Sequence, residues 1–398
     1  MTNSTVHAPD TMPSMPSMPW RRGFLAAFEP CEVELPDVLA PALELAEGLP
    51  RYLPTGRIRS LVRRLPEVDL TDWFEQASDA QLRMALMRYA FLAQAYVWGE
   101  AAPDRHLPAV LARPIWALAE RLGQQPLLPY SSYTLDNWRR IDPERGFELD
   151  NLHVLQSFLG GQDEAWFILV HVAIESRAGE IVDLAPSILA AARERNYAAL
   201  ESALGRIVAT CEDINDIFWR MPERCDPHTY FHRVRPFIHG WKDNPALGDG
   251  VVYEGVAETG GAPQQFRGQT GSQSSIVPTL DALLSVSHAA DPLRAYLDEL
   301  HAYRPPQHRR FIDAVRANSK VRTCVEDSAQ SGLRETYNEC LRQVSAFRTR
   351  HLQYAASYIN KQQRGDAGND TEVGTGGTPF MRYLRKHRGE TDGMLLTG

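Results

Sequence analysis

The stretch Val344-Ser-Ala-Phe-Arg-Thr-Arg-His-Leu352 sets one histidine, His351, within a long predicted helix over 332–362. Counting by threes and fours along this helix gives one apolar stripe, made of Tyr337, Leu341, Val344, Phe347, His351, Ala355 and Tyr358. The imidazole of His351 is therefore expected to point inward with the aromatic side chains. A buried neutral imidazole is a good axial ligand for haem iron, although a histidine in such a position is more often a hydrogen-bonded core residue.

Helical spacing of apolar residues dominates the remainder of the chain. It covers the segments 38–122, 183–220, 280–300 and 307–320. Residues 164–175 are apolar on every side, which is typical of a helix buried inside a domain rather than one lying on its surface. Strand signals are sparse. We therefore predict an all-α fold, with a large helical domain and a smaller, mostly helical N-terminal domain.

The chain of 398 residues is longer than one hydrophobic core usually supports, so two domains are expected. Residues 1–19 are rich in proline, serine and threonine, a composition that predicts a disordered tail. We place the smaller domain at 20–155 and the large domain at 156–398. Within the large domain, residues 361–378 are rich in glycine and polar residues and are predicted to form a mobile loop.

The composition argues against several classes of partner. The formal net charge is −8, with acidic and basic residues spread along the chain, so binding to a nucleic-acid backbone is not expected. No segment offers about eighteen consecutive apolar residues, so a membrane partner is not expected either. The five cysteines are widely spaced and odd in number, with no Cys-x-x-Cys pair, which argues against a disulfide framework and favours reduced thiols in a cytoplasmic protein.

Two other common kinds of site are poorly supported. Gly248-x-Gly250 and Gly374-Thr-Gly-Gly-Thr378 are glycine-rich, but neither lies between a strand and a helix and no Gly-Lys-Ser/Thr follows, so a phosphate-binding loop is not indicated. His228, His232 and His239 are close enough in sequence to suggest zinc, yet no matching carboxylate or thiolate cluster accompanies them. We interpret these histidines as a polar edge.

The run Tyr230-Phe-His-Arg-Val-Arg-Pro-Phe-Ile-His-Gly-Trp241 surrounds Arg235 with aromatic residues. In such a setting a guanidinium can bind a carboxylate through two hydrogen bonds while the rings stack on a planar substrate. The alternative is a surface arginine that lies over apolar side chains, which is the commoner case.

Two further groups of residues could act together with His351 in binding a cofactor. The segment Phe266-Arg-Gly-Gln-Thr-Gly-Ser-Gln-Ser-Ser275 offers hydroxyls and backbone amides on a glycine-rich chain, which suits an anionic group held close to the backbone, or simply a serine-rich turn. Asp281 opens an earlier helix and Arg348 lies three residues before His351, so these two side chains can pair behind the histidine. An ordinary salt bridge would have the same sequence signature.

Taken in order, several short motifs resemble the indoleamine 2,3-dioxygenase family. They are Pro129-Tyr130, Asp136-Asn-Trp138, Asp142-Pro143, Gly240-Trp-x-x-Asn-Pro245, Leu247-x-Asp-Gly-x-x-Tyr-Glu-Gly255, Gln273-Ser-Ser275, Tyr303-x-Pro-Pro-x-His-Arg309, Gly332-Leu-Arg-x-x-Tyr337, His351-Leu-Gln353 and Gly374-Thr-Gly-Gly-Thr378. Several of these motifs are unusual, and their joint occurrence from about residue 110 to 390 is specific. The resemblance implies an oxidoreductase with haem b as its cofactor, and it makes the large helical domain a haem-binding domain.

The resemblance also implies roles for individual residues. His351 would be the proximal ligand of the haem iron, and Arg235 would pair with the carboxylate of an amino-acid substrate. The residues implied in cofactor binding are His351, Thr270, Gly268, Asp281 and Arg348. The residues implied in substrate binding are Tyr130, Thr134, Phe167, His171, Tyr230, Phe231, Arg235, Gly271 and Thr375. The candidate catalytic residues are His171 and Arg235, Thr375 would belong to a mobile lid, and Ser274 and Ser275 would hold their loop in shape.

Two positions depart from the pattern of the vertebrate enzymes. His171 stands where those enzymes carry a small hydroxyl residue, a feature that is similar instead to the tryptophan 2,3-dioxygenases. We interpret its imidazole as an acceptor that orients the indole N–H rather than as a general base. Tyr230 replaces a phenylalanine beside the arginine and adds a hydroxyl that can narrow or re-orient the substrate pocket.

The activity implied by the resemblance is the insertion of both atoms of O2 into the indole C2–C3 bond of L-tryptophan or a related indoleamine, which gives N-formylkynurenine, the product that opens tryptophan catabolism by the kynurenine pathway. An electron donor would keep the iron ferrous. One alternative is a monooxygenase or peroxidase-type oxidation of a different or modified indole, which His171 and Tyr230 motivate. Another is a non-catalytic haem-binding protein, a sensor or a store, against which a carboxylate-binding arginine argues.

Overall fold

The computed structural model describes residues 18, 20–290, 292–362, 369–376 and 380–397. Helices dominate this part of the chain, which confirms the predicted all-α fold. The α-helices are α1 (Ala40–Glu47), α2 (Leu49–Tyr52), α3 (Ile58–Val62), α4 (Thr71–Gln76), α5 (Asp79–Trp98), α6 (Ala109–Leu122), α7 (Gln162–Arg177), α8 (Gly179–Glu194), α9 (Tyr197–Trp219), α10 (Pro227–Thr229), α11 (Ile276–Leu283), α12 (Pro292–His301), α13 (Pro306–Asn318), α14 (Val321–Glu326), α15 (Ser331–Ala355) and α16 (Phe380–Asp392).

Strands are few and short in the described residues. β1 (His106–Leu107) pairs in parallel with β4 (Val252–Tyr253), and β2 (Arg139–Arg140) pairs antiparallel with β3 (Leu152–His153). Each has two residues, so they fasten loops to one another and form no layer of their own.

Helix α5 runs through the apolar core of the N-terminal half. It begins with a capping box, because Ser78 Oγ accepts the backbone N–H of Gln81 at 3.3 Å and Gln81 Oε1 accepts the backbone N–H of Ser78 at 3.0 Å. Most of its side chains from Leu82 to Val97 are buried on all sides, as expected for a central helix.

Helix α15 carries His351 and is packed between α9 and α16. It continues past Ala355 as one π-helical turn over Ala356–Asn360, close to the end predicted from the apolar stripe. Tyr337, Leu341 and Val344 of that stripe are buried, so the face that helical spacing predicted to point inward does so. Helix α7 also packs on α9, and its His171 lines a common cavity with His351.

The buried apolar side chains form one continuous cluster that includes residues of both predicted domains. A domain boundary near residue 155 stays a prediction. The predicted tail over 1–19 lies outside the described residues except for Met18. Of the predicted mobile loop over 361–378, residues 363–368 and 377–378 also lie outside them. No helix in the described part of the chain has both the length and the apolar character needed to cross a bilayer.

Candidate functional site

Two adjoining cavities lie between α7, α15 and the glycine-rich loop, which spans residues 266–275. The smaller has a volume of about 160 Å³ and the larger about 450 Å³. They are adjoining because several residues line both, namely His171, Phe218, Gly271, Ser272, Leu297, His351, Leu384 and His387. The two histidines that stood out in the sequence therefore face one connected space in the interior.

His351 presents an unpartnered imidazole to both cavities. Burial lowers its pKa to about 4, with a smaller contribution from the nearby His171, so the ring is neutral near pH 7. Its side chain is partly accessible because it faces the cavity. Among the described residues, neither ring nitrogen takes part in a hydrogen bond. A neutral imidazole with a free lone pair beside a large cavity fits the proximal ligand of a haem.

His171 has a defined tautomer. Its Nδ1 lies 2.7 Å from the backbone carbonyl oxygen of Phe167, and a carbonyl can only accept, so Nδ1 carries the proton and Nε2 keeps a lone pair. Burial lowers the pKa of the ring, which is therefore neutral. Aromatic rings surround it, with the centroid of Phe167 at 4.7 Å and that of Tyr130 at 6.3 Å. The site thus offers a hydrogen-bond acceptor in an otherwise apolar setting.

Phe167 and Tyr230 form the aromatic wall of the smaller cavity. Their ring centroids lie 4.7 Å apart, and Tyr230 also meets Tyr358 edge-on at 5.7 Å. The hydroxyl of Tyr358 donates to the backbone of Cys225 at 2.6 Å, which fixes that ring. Such a wall suits a flat aromatic guest.

Arg235 is completely buried, so the alternative of a surface arginine is wrong. Its guanidinium donates to Asn369 Oδ1 and to the carbonyl oxygen of Val373, and it lies over the ring of Phe231 at 5.3 Å. Neither Arg235 nor Phe231 is among the residues that line the two cavities, because the segment 369–376 lies between.

The guanidinium of Arg235 forms no salt bridge in the described part of the chain, although the carboxylate of Asp370 attracts it from a greater distance. Burial lowers its pKa to about 10, which leaves it protonated at neutral pH. No described carboxylate lies within 4.0 Å of the guanidinium, and Nε lacks any hydrogen-bond partner there. A buried unpaired cation is costly, so this position is electrostatically suited to a carboxylate supplied by a ligand.

The glycine-rich loop forms part of the cavity wall. Thr270 and Gly271 line the smaller cavity, as does Thr375, whose Oγ1 donates to the carbonyl oxygen of Gln269 at 2.7 Å. Gly268 lies behind them and does not line either cavity. A Cβ on Gly268 would come within 2.3 Å of the backbone nitrogen of Gly240, so only glycine permits this approach of the two chains.

The predicted pair behind His351 is present. Arg348 Nη2 donates to Asp281 Oδ2 at 2.6 Å, and Arg348 also donates to Thr391. Although burial alone would raise the pKa of Asp281, attraction to Arg348 and a hydrogen bond from His288 hold it below its usual value. Both partners line the larger cavity, but no hydrogen bond joins either to the ring of His351 in the described structure.

Tyr130 lines the larger cavity and Thr134 does not. The hydroxyl of Tyr130 donates to Glu175 Oε1 at 2.9 Å, and Ser274 Oγ donates to the same oxygen at 2.6 Å. Thr134 is buried in the π-helical turn Ser131–Leu135. Ser275 contacts His308 Nδ1 at 3.2 Å, so both serines fasten their loop to its surroundings.

Glu175 and Arg304 are charged residues of the cavity wall that were not among the residues singled out from the sequence. Glu175 lies one turn after His171, and burial raises its carboxyl pKa to about 7. Arg304 donates to the carbonyl oxygens of Ser272 at 2.7 Å and Ser274 at 3.1 Å, and so shapes the loop. The sequence could have indicated both residues. Glu175 is an acid in a helix that is otherwise apolar on every side, and Arg304 lies inside the Tyr303-x-Pro-Pro motif.

Comparison with known proteins identifies the family of this chain. The profile of the family described as Indoleamine 2,3-dioxygenase matches residues 17–394. Indoleamine 2,3-dioxygenase 1 of Rattus norvegicus is 35% identical over 377 residues, which cover 92% of this chain and 91% of that protein. Indoleamine 2,3-dioxygenase of Saccharomyces cerevisiae is 30% identical, with 87% and 86% covered. A protein of Haliotis diversicolor named Myoglobin is 29% identical, with 94% and 96% covered. The chain therefore belongs to the indoleamine 2,3-dioxygenase family, whose members are haem-dependent oxidoreductases.

Proposed function

We propose that this protein inserts both atoms of O2 into the C2–C3 bond of the indole ring of L-tryptophan or a closely related indoleamine, which yields N-formylkynurenine. The observation that carries the proposal is the neutral, unpartnered imidazole of His351 at the wall of an interior cavity that His171 also lines. His351 on α15 would be the iron ligand and His171 on α7 the acceptor for the substrate, and both line the same cavities.

His351 would hold haem b through its iron. Thr270, Gly268, Asp281 and Arg348 are the further residues that we assign to cofactor binding. Arg304, a buried cation in the wall of the larger cavity, is chemically suited to a carboxylate of the porphyrin. Bound ferrous haem would supply the activation of O2, and an external electron donor would keep the iron in that state.

The chain's own contribution is to bind and orient the indole. The Nε2 lone pair of His171 accepts the indole N–H, while its proton stays on Nδ1, bonded to Phe167. The rings of Phe167 and Tyr230 flank the planar substrate, and apolar walls exclude water from the reacting carbon atoms. Because the net reaction removes no proton to solvent, no strong general base is required.

Arg235 would bind the substrate carboxylate. In the present arrangement the carbonyl oxygen of Val373 and the side chain of Asn369 occupy its donors. A carboxylate is a stronger acceptor for a guanidinium than a carbonyl or an amide oxygen, so substrate entry would exchange these contacts and displace the segment 369–376. Thr375 on the same segment would then take part in closing the site.

A second candidate is a haem protein that binds O2 without turnover, which the relative named Myoglobin favours. The buried guanidinium of Arg235, which forms no salt bridge among the described residues, argues for the enzyme, because a protein that only stores O2 has no need to bind a carboxylate. We further propose that the protein works in the cytoplasm, without a nucleic-acid or membrane partner.

A single-turnover reaction with ¹⁸O2 and L-tryptophan separates these functions. The dioxygenase gives N-formylkynurenine heavier by two labelled atoms. A product with one labelled atom would establish a monooxygenase instead, and reversible O2 binding without any product would establish the storage protein.

A further inference from the structure

A second cluster of possible metal ligands lies beside the larger cavity. His288 follows α11, and His387 and Glu390 lie three residues apart on one face of α16. One ligand atom from each of the three lies within 4.8 Å of the other two. His288 Nδ1 is 2.6 Å from Glu390 Oε2, and the rings of the two histidines are 4.6 Å apart between centroids.

One ring nitrogen of His387 lacks a hydrogen-bond partner among the described residues. This nitrogen, Nε2, is buried. Burial lowers the pKa of this ring to about 4, with a further contribution from His288, so it is neutral at pH 7 and has a lone pair to give. A buried polar nitrogen without a partner calls for an explanation, and an absent cation is one.

We propose that His288, His387 and Glu390 bind a divalent transition-metal ion, with Zn²⁺ as the best match. Two imidazoles and one carboxylate form a ligand set that Zn²⁺ accepts, with water free to complete the coordination. His351 is not one of the three ligands, although it lines the larger cavity together with His288 and His387. The ion would join α16 to the segment that follows α11.

The surroundings of His288 favour a ligand role. Its Nε2 lies 3.1 Å from Asp281 Oδ2, so the outer nitrogen is already held by a carboxylate, as is usual for a metal-bound histidine. Its Nδ1 then points to Glu390, at the position where the ion would insert. With both nitrogens bonded to carboxylates, His288 carries two N–H protons, so the ion replaces the Nδ1 proton, which passes to solvent. Zn²⁺ binding is therefore expected to weaken as the pH falls.

Calorimetric titration of Zn²⁺ into the haem-loaded protein tests this inference. We expect one ion per chain, with about one proton released, which makes the measured heat depend on the ionisation enthalpy of the buffer. His387→Gln breaks no described hydrogen bond of the side chain and should weaken the binding at least tenfold. Glu390→Gln should do the same. His106→Gln, on an exposed histidine, is the matched control and should leave the affinity unchanged.

The thermal midpoint gives a second readout of the same site. Zn²⁺ should raise the midpoint of the unsubstituted protein and of His106→Gln, but not that of His387→Gln. Absence of Zn²⁺ binding, or equal affinity in the unsubstituted protein and His387→Gln, would overturn the proposal. Neither result would affect the haem assignment, because His351 takes no part in this site.

Discussion

Nδ1 of His171 lies 2.7 Å from the carbonyl oxygen of Phe167, one turn earlier in α7. This bond fixes the ring and leaves Nε2 as the acceptor, which makes the role of His171 testable with substrates that differ only at the indole nitrogen. A substrate without an N–H has nothing to donate to Nε2, whichever residue stands at position 171.

His171→Leu should lower kcat/KM for L-tryptophan about tenfold, since one lost hydrogen bond is worth about 1.4 kcal/mol. With 1-methyl-L-tryptophan, which lacks the indole N–H, the substitution should change kcat/KM little. Steady-state rates for both substrates with both proteins give the comparison. An equal loss for the two substrates would show that His171 acts on the haem or on packing and not on the indole nitrogen.

Arg235→Ala should weaken L-tryptophan binding by about 1.5–3 kcal/mol, the contribution of a charge-assisted hydrogen bond. Binding is measured from the change in the haem absorption spectrum. Tryptamine, which has the indole and the amine but no carboxylate, is the control ligand, because its affinity should be the same for both proteins. If the affinity for tryptamine fell as much as that for tryptophan, Arg235 would serve only to hold the segment 369–376.

Asp281→Ala should lower the free energy of unfolding by about 3 kcal/mol, because it leaves Arg348 buried without a carboxylate partner. Guanidinium chloride unfolding at pH 7 measures the change. Glu67→Ala, which removes an exposed partner of Arg113 at a similar distance of 2.9 Å, should have little effect. Equal effects of the two substitutions would mean that the buried pair is no more important than a surface pair.

Glu175 is expected to make the free energy of unfolding depend on pH. Burial raises its pKa in the folded protein to about 7, against an ordinary value of 4.5. The folded state therefore binds the proton more tightly than the unfolded state does. Stability should fall as the pH rises from 4.5 to 7 and should level off above that range.

Glu175→Gln removes this titration and should stabilise the protein at pH 8 by roughly 3 kcal/mol relative to the unsubstituted chain. The amide keeps an oxygen that can accept from Tyr130 and Ser274, so the packing is preserved. Unfolding curves collected between pH 5 and pH 8 give the comparison. Parallel pH profiles for the two proteins would contradict the assignment of the raised pKa to Glu175.

Periodicity in the sequence predicted the helices because burial of one face follows from local spacing. The stripe of α15 and the buried character of α7 depend only on residues within one helix, and both were predicted correctly. The pair of Asp281 and Arg348 was also anticipated from their opposite charges. The predicted position of Asp281 at the start of a helix is wrong, because it lies near the end of α11.

Contacts between distant segments could not be predicted from spacing. The segment 369–376 lies over Arg235, more than 130 residues away in sequence, and no local pattern indicates what covers a buried cation. The meeting of His288 with His387 is of the same kind. Periodicity predicts which face of a helix is buried, but the tertiary fold determines which other segment of the chain packs against that face.

The central claim is that His351 binds the haem iron, and the absorption spectrum of His351→Ala tests it most directly. The unsubstituted protein should contain one haem per chain and show a Soret band that shifts when L-tryptophan is added to the reduced, O2-free sample. His351→Ala should retain its helical circular dichroism and lose the band, because the substitution removes the imidazole that we propose as the ligand of the iron. A normal Soret band in a folded His351→Ala protein would contradict the account.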